Sequence, residues 1–440
     1  MGASVAVAFA DSSIVVLALP ALYTDFRTSL IGVSWVITSY NLVVFAAAFA
    51  LVPFTRRLHP REVTRAGLAL FTAGSIGCAA AWALTPLIAF RCLQGLGAAL
   101  LLPGALPLLG GLTGGARRGA RVWATTGTFG AALGPALGGV LTQLADWRAI
   151  FAVQAPLAAV ALVATFDRGA EELPLERPSP RRGHGAANAG LALLFAGLVG
   201  ALFLAVLLVI TVWQREPIVG ALVVSALPAA ALSVQPLAAR LGRRLGVAAG
   251  AVLLASGLVA LALLPAISNA LLAVSLAFCG VGLGLAVPTL TAESVDSDRA
   301  PLRSGTVTIG ARHLGLVVAV AVIAPLLTHD LDAGRQPATL AGTRVILDGN
   351  VDLTQKVPIA LDVRDAFDRA QRGQIPDLAK PFDDRGAAHD PRLRALRDTL
   401  LDTLRGVVTR SFRWSFLLAA LFALLALIPA RRLREEPAPS

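Results

Sequence analysis

The chain has 440 residues, 56% of them hydrophobic and 15% charged, with a mean hydropathy of +0.72. Soluble domains carry roughly a quarter charged residues, so this balance excludes an ordinary water-soluble fold and makes lipid the natural solvent. The formal charge of +11 does not indicate a nucleic-acid partner, because the cations lie between apolar runs instead of clustering on one polar domain.

A helix needs about 20 apolar residues to cross the hydrocarbon core. Runs of that length predict spans near 2–22, 34–54, 63–83, 87–112, 122–144 and 147–166. A second set lies near 188–213, 217–240, 245–265, 270–292, 304–327 and 412–430. The first run lacks a charged leader and outlasts a signal core, so it reads as a retained span. The expected fold is all-α and integral to the membrane, with twelve transmembrane helices in two six-helix bundles. Residues 1–166 form the first bundle and 167–187, rich in Pro, Gly and charge, a cytoplasmic linker. Residues 188–327 supply spans seven to eleven, 328–411 an extracytoplasmic segment, and 412–440 span twelve with a cytoplasmic tail. The 328–411 segment is formally neutral, with thirteen Asp against eleven Arg and two Lys. Its stretches 358–372 and 391–410 have the apolar spacing of amphipathic helices. A small folded cap, open to an extracytoplasmic partner, and a disordered spacer both fit.

With the N-terminus inside, the inner loops and tail hold nineteen Arg, among them Arg56, Arg57, Arg117, Arg118 and Arg121, while the short outer loops hold only Arg27, Arg148 and Arg215. That bias places both termini in the cytoplasm; the expected location is the plasma (inner) membrane. Trp35, Trp82, Trp123, Trp147, Trp213 and Trp414 fall at predicted span ends, where amphipathic rings prefer to sit. Cys78, Cys92 and Cys279 lie in apolar runs with no metal or redox spacing, so no metal or cofactor is expected.

Four motifs carry mechanism. In the fifth span Gly130, Gly134 and Gly138 recur every fourth residue, with Pro135 and Gly139 beside them. Small residues four apart let another backbone approach, and the proline bends its helix. In the first span Asp11 opens the run Asp11-Ser12-Ser13, the one acid well inside the first six spans. A carboxylate at mid-membrane is costly unless paired or protonated, so it serves either as a proton carrier or as a structural hydrogen-bonding acid. In the fourth span Arg91 precedes Gln94, Gly95 and Gly97; it is deep enough to need a partner, yet within snorkelling reach of the interface. In the eleventh, Arg312 and His313 follow Ser304-Gly305. His313 can titrate or pack as a neutral ring. Thr38, Tyr40, Asn41, Gln94 and Gln154 are candidate polar contacts in a substrate cavity.

Together these motifs resemble the major facilitator superfamily, in particular its drug:proton antiporters. The likeness covers both halves but not the outer segment. It implies proton coupling through Asp11 and Arg91, an antiporter motif at Gly130–Gly139, and export of a lipophilic or amphipathic small molecule. One loop departs from the family. Between spans two and three the family usually reads Gly-x-Leu-x-Asp-Arg-x-Gly-Arg; here Val52, Phe54, Arg56, Arg57, His59 and Pro60 occupy its positions, and the latching acid is gone. No Gly-Lys phosphate loop exists for an ATP-driven pump. Deep acids and histidines are too few for an integral membrane enzyme. An uptake symporter, a lipid transporter and a non-transporting scaffold or sensor of the same fold remain alternatives.

Overall fold

The computed structural model describes residues 1–166 and 184–433, apart from 239, 266, 296–298, 350, 370–381, 383, 386, 388 and 389. Most of the expected linker and the last seven residues of the tail therefore lie outside the described residues. Helix makes up 87% of the structure and no strand occurs among the described residues.

The helices line up as twelve rods, numbered here in chain order. Rod 1 is Gly2–Ile14, a 3-10 turn at Val15–Ala18, and Leu19–Asp25. Rods 2 to 6 are Leu30–Leu51, Pro60–Ala79, Leu84–Leu112, Ala116–Leu144 and Arg148–Ala164. Rod 7 is His184–Val206 continued by a π-helical turn at Leu207–Val212, and rod 8 is broken into Pro217–Val224, Ala226–Ser233 and Gln235–Ala238. Rods 9 to 11 are Arg243–Ala262, Asn269–Ser294 and Pro301–Ala333; rod 12 is Arg413–Leu425 with Leu427–Ala430. Starts are set locally. Ser29 caps rod 2 by accepting from the Gly32 amide at 3.0 Å. Pro60, Pro217 and Pro301 open their helices at a position where no amide hydrogen is needed.

Nine helical stretches among the described residues are long and apolar enough to cross a membrane. Rods 3 and 5 fall short in hydropathy because glycine, Ser/Thr and terminal Arg dilute them, and rod 6 has 17 residues. Each still packs within the bundle. Leu144, Val160, Val163 and Leu222 stand at least 70% exposed, an apolar surface that needs lipid.

The halves repeat their packing. In the first, Gly67 and Gly97 bring rods 3 and 4 to backbone contact; in the second, Gly250 and Gly282 do the same for rods 9 and 10. Arg65 at the start of rod 3 donates to the Thr165 carbonyl beyond rod 6 at 2.7 Å. Arg244 at the start of rod 9 donates to the Leu433 carbonyl beyond rod 12 at 2.6 Å. A cation on a helix C-terminus is favourable in both places. The halves meet along rods 2 and 11, where Phe49 lies on Gly310, and along rods 5 and 8, where Gly139 meets Ala221.

Between rods 11 and 12 run Arg335–Asp348, Leu353–Arg369 and Pro391–Ser411. The last two overlap the stretches predicted to be amphipathic; the first lacks a regular apolar period. Their apolar faces gather into a separate cluster that includes Ile346, Ile359, Phe382, Leu393 and Leu400. The tryptophans divide. Trp35, Trp82 and Trp414 are exposed, as an interfacial belt requires, but Trp123, Trp147 and Trp213 are buried. Those three donate to Leu102 O, Asp25 Oδ2 and Thr409 Oγ1 at 2.8, 2.8 and 3.0 Å; the first two tie rods together, and the third ties the end of rod 7 to the helix Pro391–Ser411.

Candidate functional site

Two polar regions are built into the membrane-spanning body. The first is sealed inside the first half. Asp11 and Arg91 are both 0% exposed. Arg91 Nη1 donates to Asp11 Oδ2 at 2.7 Å, Asp11 Oδ1 at 2.9 Å and Gln94 Oε1 at 2.6 Å. Its Nε donates to the Val36 carbonyl at 3.0 Å, and the guanidinium lies 4.2 Å from the Tyr40 ring centre. Gln94 Nε2 in turn donates to Ser75 Oγ at 2.9 Å and Gln154 Oε1 at 2.7 Å. Rods 1, 2, 3, 4 and 6 thus share one hydrogen-bonded network. Arg91 does not snorkel. Its helix begins at Leu84, earlier than the apolar run indicates, and the side chain meets Asp11 directly with no bridging group.

The second region lies between the halves. A cavity of about 160 Å³ is walled by Phe9, Ser13, Pro135, Phe195, Phe203 and other mostly apolar side chains. It adjoins a second space of about 430 Å³, lined by Arg117, Arg121, Gln235 and Thr291; Arg312 lines both. Arg312 is 8% exposed. Its Nη2 donates to Thr291 Oγ1 at 3.1 Å, and its guanidinium sits 5.3 and 4.8 Å from the Phe9 and Phe195 ring centres. His313 also faces the cavity, its Nδ1 2.8 Å from the Ile309 carbonyl, which assigns that nitrogen as the donor.

Of the five candidate substrate contacts, Asn41 lines this cavity. Tyr40, Gln94 and Gln154 belong to the sealed network instead, and the Thr38 hydroxyl is turned back onto the Ser34 carbonyl at 2.9 Å; none of the four reaches the cavity wall. Asp11 is absent from that wall too. Ala8, Phe9, Ser13 and Val16 point into the cavity from rod 1, and Asp11 leaves from the opposite face. The cavity and Asp11 therefore do not share a chamber.

The glycine motif of rod 5 explains how rod 1 is held. Gly130, Gly134 and Gly138 abut Ala6, Ser13 and Ile14, so closely that a Cβ would collide. Ser13 Oγ donates across this seam to the Ala131 carbonyl at 3.0 Å. Gly139 reaches the other half at Ala221, and Pro135 turns to the cavity.

A family model described as Major Facilitator Superfamily matches residues 1–324. The chain belongs to the major facilitator superfamily. It is a multi-pass membrane transporter and not an enzyme. It is 36% identical over 159 residues to the methylenomycin A resistance protein of Bacillus subtilis, covering 36% of this chain and 34% of that one. It is 28% identical to the multidrug resistance protein Stp of Mycobacterium tuberculosis over 75% of each chain. It is also 29% identical to the tetracenomycin C resistance and export protein of Streptomyces glaucescens, over 37% of this chain and 32% of the relative. The match to the methylenomycin protein thus spans about a third of that relative's length. Among solved structures, a bacterial homologue of the human lysosomal transporter Spinster, inward-facing and unoccupied, superposes with a TM-score of 0.62 at 14% identity, covering 99% of this chain and 97% of that one. The D-xylose–proton symporter gives 0.55 at 15% identity, with 72% and 87% covered. At such identity the likeness bears on the fold alone.

Within this facilitator fold, ion pairs stand near the starts of rods 3 and 9. Beside Arg65, which also pairs with Glu62 at 3.0 Å, Arg243 at the start of rod 9 pairs with Glu293 of rod 10 at 2.5 Å. The cavity walls at Phe195, Phe203 and Leu227 were not predicted from the sequence, and no signal marks them, because apolar residues that face a cavity or lipid look alike in a span.

Proposed function

We propose that this transporter exports a lipophilic or amphipathic small molecule across the plasma membrane in exchange for protons, with Asp11 as the proton carrier. The observation that carries this reading is the fully buried Asp11–Arg91 pair. A buried ion pair contributes little net stability once desolvation is counted, and ionisable residues at membrane depth commonly serve proton pathways. The surroundings suit two charge states. When Asp11 takes a proton, Arg91 still has the Gln94 Oε1, the Val36 carbonyl and the Tyr40 ring as partners. The cation is then not stranded.

Because Asp11 and the cavity lie on opposite faces of rod 1, coupling runs through the rod itself. Its 3-10 turn at Val15–Ala18 is the kind of mid-helix irregularity where a hinge can sit. Export is favoured over uptake by the resistance and export proteins among the relatives. The arginine bias supports termini on the cytoplasmic side, and the Arg117–Arg121 end of the larger space then opens inward.

The test is transport in everted vesicles. Asp11→Asn mimics the protonated acid and cannot release a proton. It should abolish uphill accumulation of lipophilic dyes driven by a pH gradient while leaving exchange down a substrate gradient. Uphill transport with an unchanged pH dependence would move the role to Glu293 or His313.

A further inference from the structure

We propose that the cavity takes an amphiphile carrying one anionic group, which pairs with Arg312 while its apolar body lies among Phe9, Phe195 and Phe203. This rests on the transport reading above and deepens it by naming the substrate class. Arg312 is nine-tenths buried and has one hydrogen-bond acceptor, Thr291 Oγ1. Its Nε has no partner. No Asp or Glu among the described residues lines either the inner cavity or the larger space beside it. The contrast with Arg91 lies in the counter-ion: that guanidinium, also buried and also with one unpartnered nitrogen, has its carboxylate at 2.7 Å.

A guanidinium removed from water without a counter-ion is costly. The two aromatic faces beside Arg312 offset part of that cost but cannot fill its in-plane donors, which match a carboxylate, sulfonate or phosphate. The missing partner is supplied by the cargo. Geometry fits this division. Pockets for drug-sized ligands span roughly 300–1,000 Å³, more than the inner cavity's 160 Å³. Arg312 stands where that cavity meets the 430 Å³ space, so an anionic head at Arg312 leaves apolar room on one side and a wider chamber on the other. Arg117 and Arg121 line that chamber and bias it towards anions.

The experiment uses the full chain in phosphatidylcholine nanodiscs and two dyes with one aromatic body, 8-anilinonaphthalene-1-sulfonate and the uncharged N-phenyl-1-naphthylamine. Arg312→Gln should weaken the sulfonate about tenfold or more, the loss expected for one charge-assisted contact, and leave the uncharged dye within about twofold of wild type. Arg312→Lys should recover most of the sulfonate affinity. On the wild type, with no variant needed, decanoate should displace the sulfonate dye and decylamine should not. No sulfonate binding above empty nanodiscs, an equal loss of both dyes, or preferential displacement by decylamine overturns the proposal. Adding phosphatidylglycerol to the nanodiscs separates the sources. Arg312-dependent competition assigns the anion to a bilayer lipid, and its absence assigns it to a free amphiphile. Binding is read at equilibrium without a pH gradient, so its failure leaves proton-coupled export standing, and failure of the Asp11→Asn test leaves the anion site standing.

Discussion

Gly130 of rod 5 rests on the backbone of Ala6 in rod 1, with no room for even a methyl group between them. The relation persists along the seam, through Gly134 at Ser13 and Gly138 at Ile14. Rod 1 carries Asp11 on one face and cavity residues on another, so the seam sets where both stand. Gly130→Ala is expected to push the two backbones apart, at a cost of about 1–3 kcal/mol typical of overpacking. Thermal unfolding of the detergent-solubilised protein should register the loss, with transport falling alongside. Gly185→Ala, whose Cβ meets nothing within 4 Å, is the control. Equal stability of the two variants would show that the seam is not tight.

Gln94 is the hub of the sealed network, accepting from Arg91 and donating to Ser75 and Gln154. Gln94→Leu keeps the volume but leaves Gln154 Oε1 without a partner, while Arg91 keeps Asp11 and Ser75 keeps the Phe71 carbonyl. A buried polar group left unpaired costs about 1–3 kcal/mol, so the variant should be destabilised by about that much. Gln94→Glu should retain the contact to Arg91 but place a second acid beside Asp11, shifting the pH dependence of transport. A Leu variant as stable as wild type would mean that water satisfies the network.

Asp11 and Arg91 are legible in the sequence because an ionisable group in an apolar run must face protein. The same logic could not separate two interiors. Gln94, Gln154 and Tyr40 are polar and inward-facing, yet they fill a bundle core, while Asn41 on the same rod as Tyr40 faces the cavity. One residue of helical rotation, about 100°, decides between them. Helix starts matter as well, since rod 4 begins three residues before its apolar run, and Arg91 is buried against Asp11 instead of reaching outward. The twelve rods themselves follow from run length, and amphipathic spacing marked two of the outer helices. Arg335–Asp348 escaped because Gly342, packed on Leu400, interrupts its apolar face.

Sidedness is open to labelling. The arginine bias predicts that Gly115, between rods 4 and 5, faces the cytoplasm and that Gly406, in the segment before rod 12, faces outward. A Cβ at either position meets nothing within 4 Å, so cysteine should be tolerated at both. With Cys78, Cys92 and Cys279 replaced by alanine, Gly406→Cys should react with an impermeant thiol reagent in intact cells. Gly115→Cys should react only after permeabilisation. The reverse pattern would invert the topology and with it the direction in which the larger space opens.

The segment between rods 11 and 12 packs around its own apolar cluster, and its described residues meet the transporter at identifiable points. Arg405 Nη2 donates to Gln214 Oε1 at 3.0 Å, and Trp213 Nε1 to Thr409 Oγ1 at 3.0 Å; both contacts lie at the turn between rods 7 and 8. Its two ends are neighbours, since a Cβ on Gly334 would come within 2.8 Å of Ser411 Oγ. Replacing 335–405 by a short flexible linker therefore needs no rearrangement of rods 11 and 12, and it keeps Thr409 under Trp213. The shortened protein is expected to fold, with thermal stability close to that of the full chain, because the deleted cluster is separate from the main core. If the segment caps the outer mouth, its removal should change the relative export rates of a panel of substrates or abolish capture of an extracytoplasmic partner. Identical rates for every substrate, together with an unchanged set of crosslinked partners, would reduce the segment to a spacer.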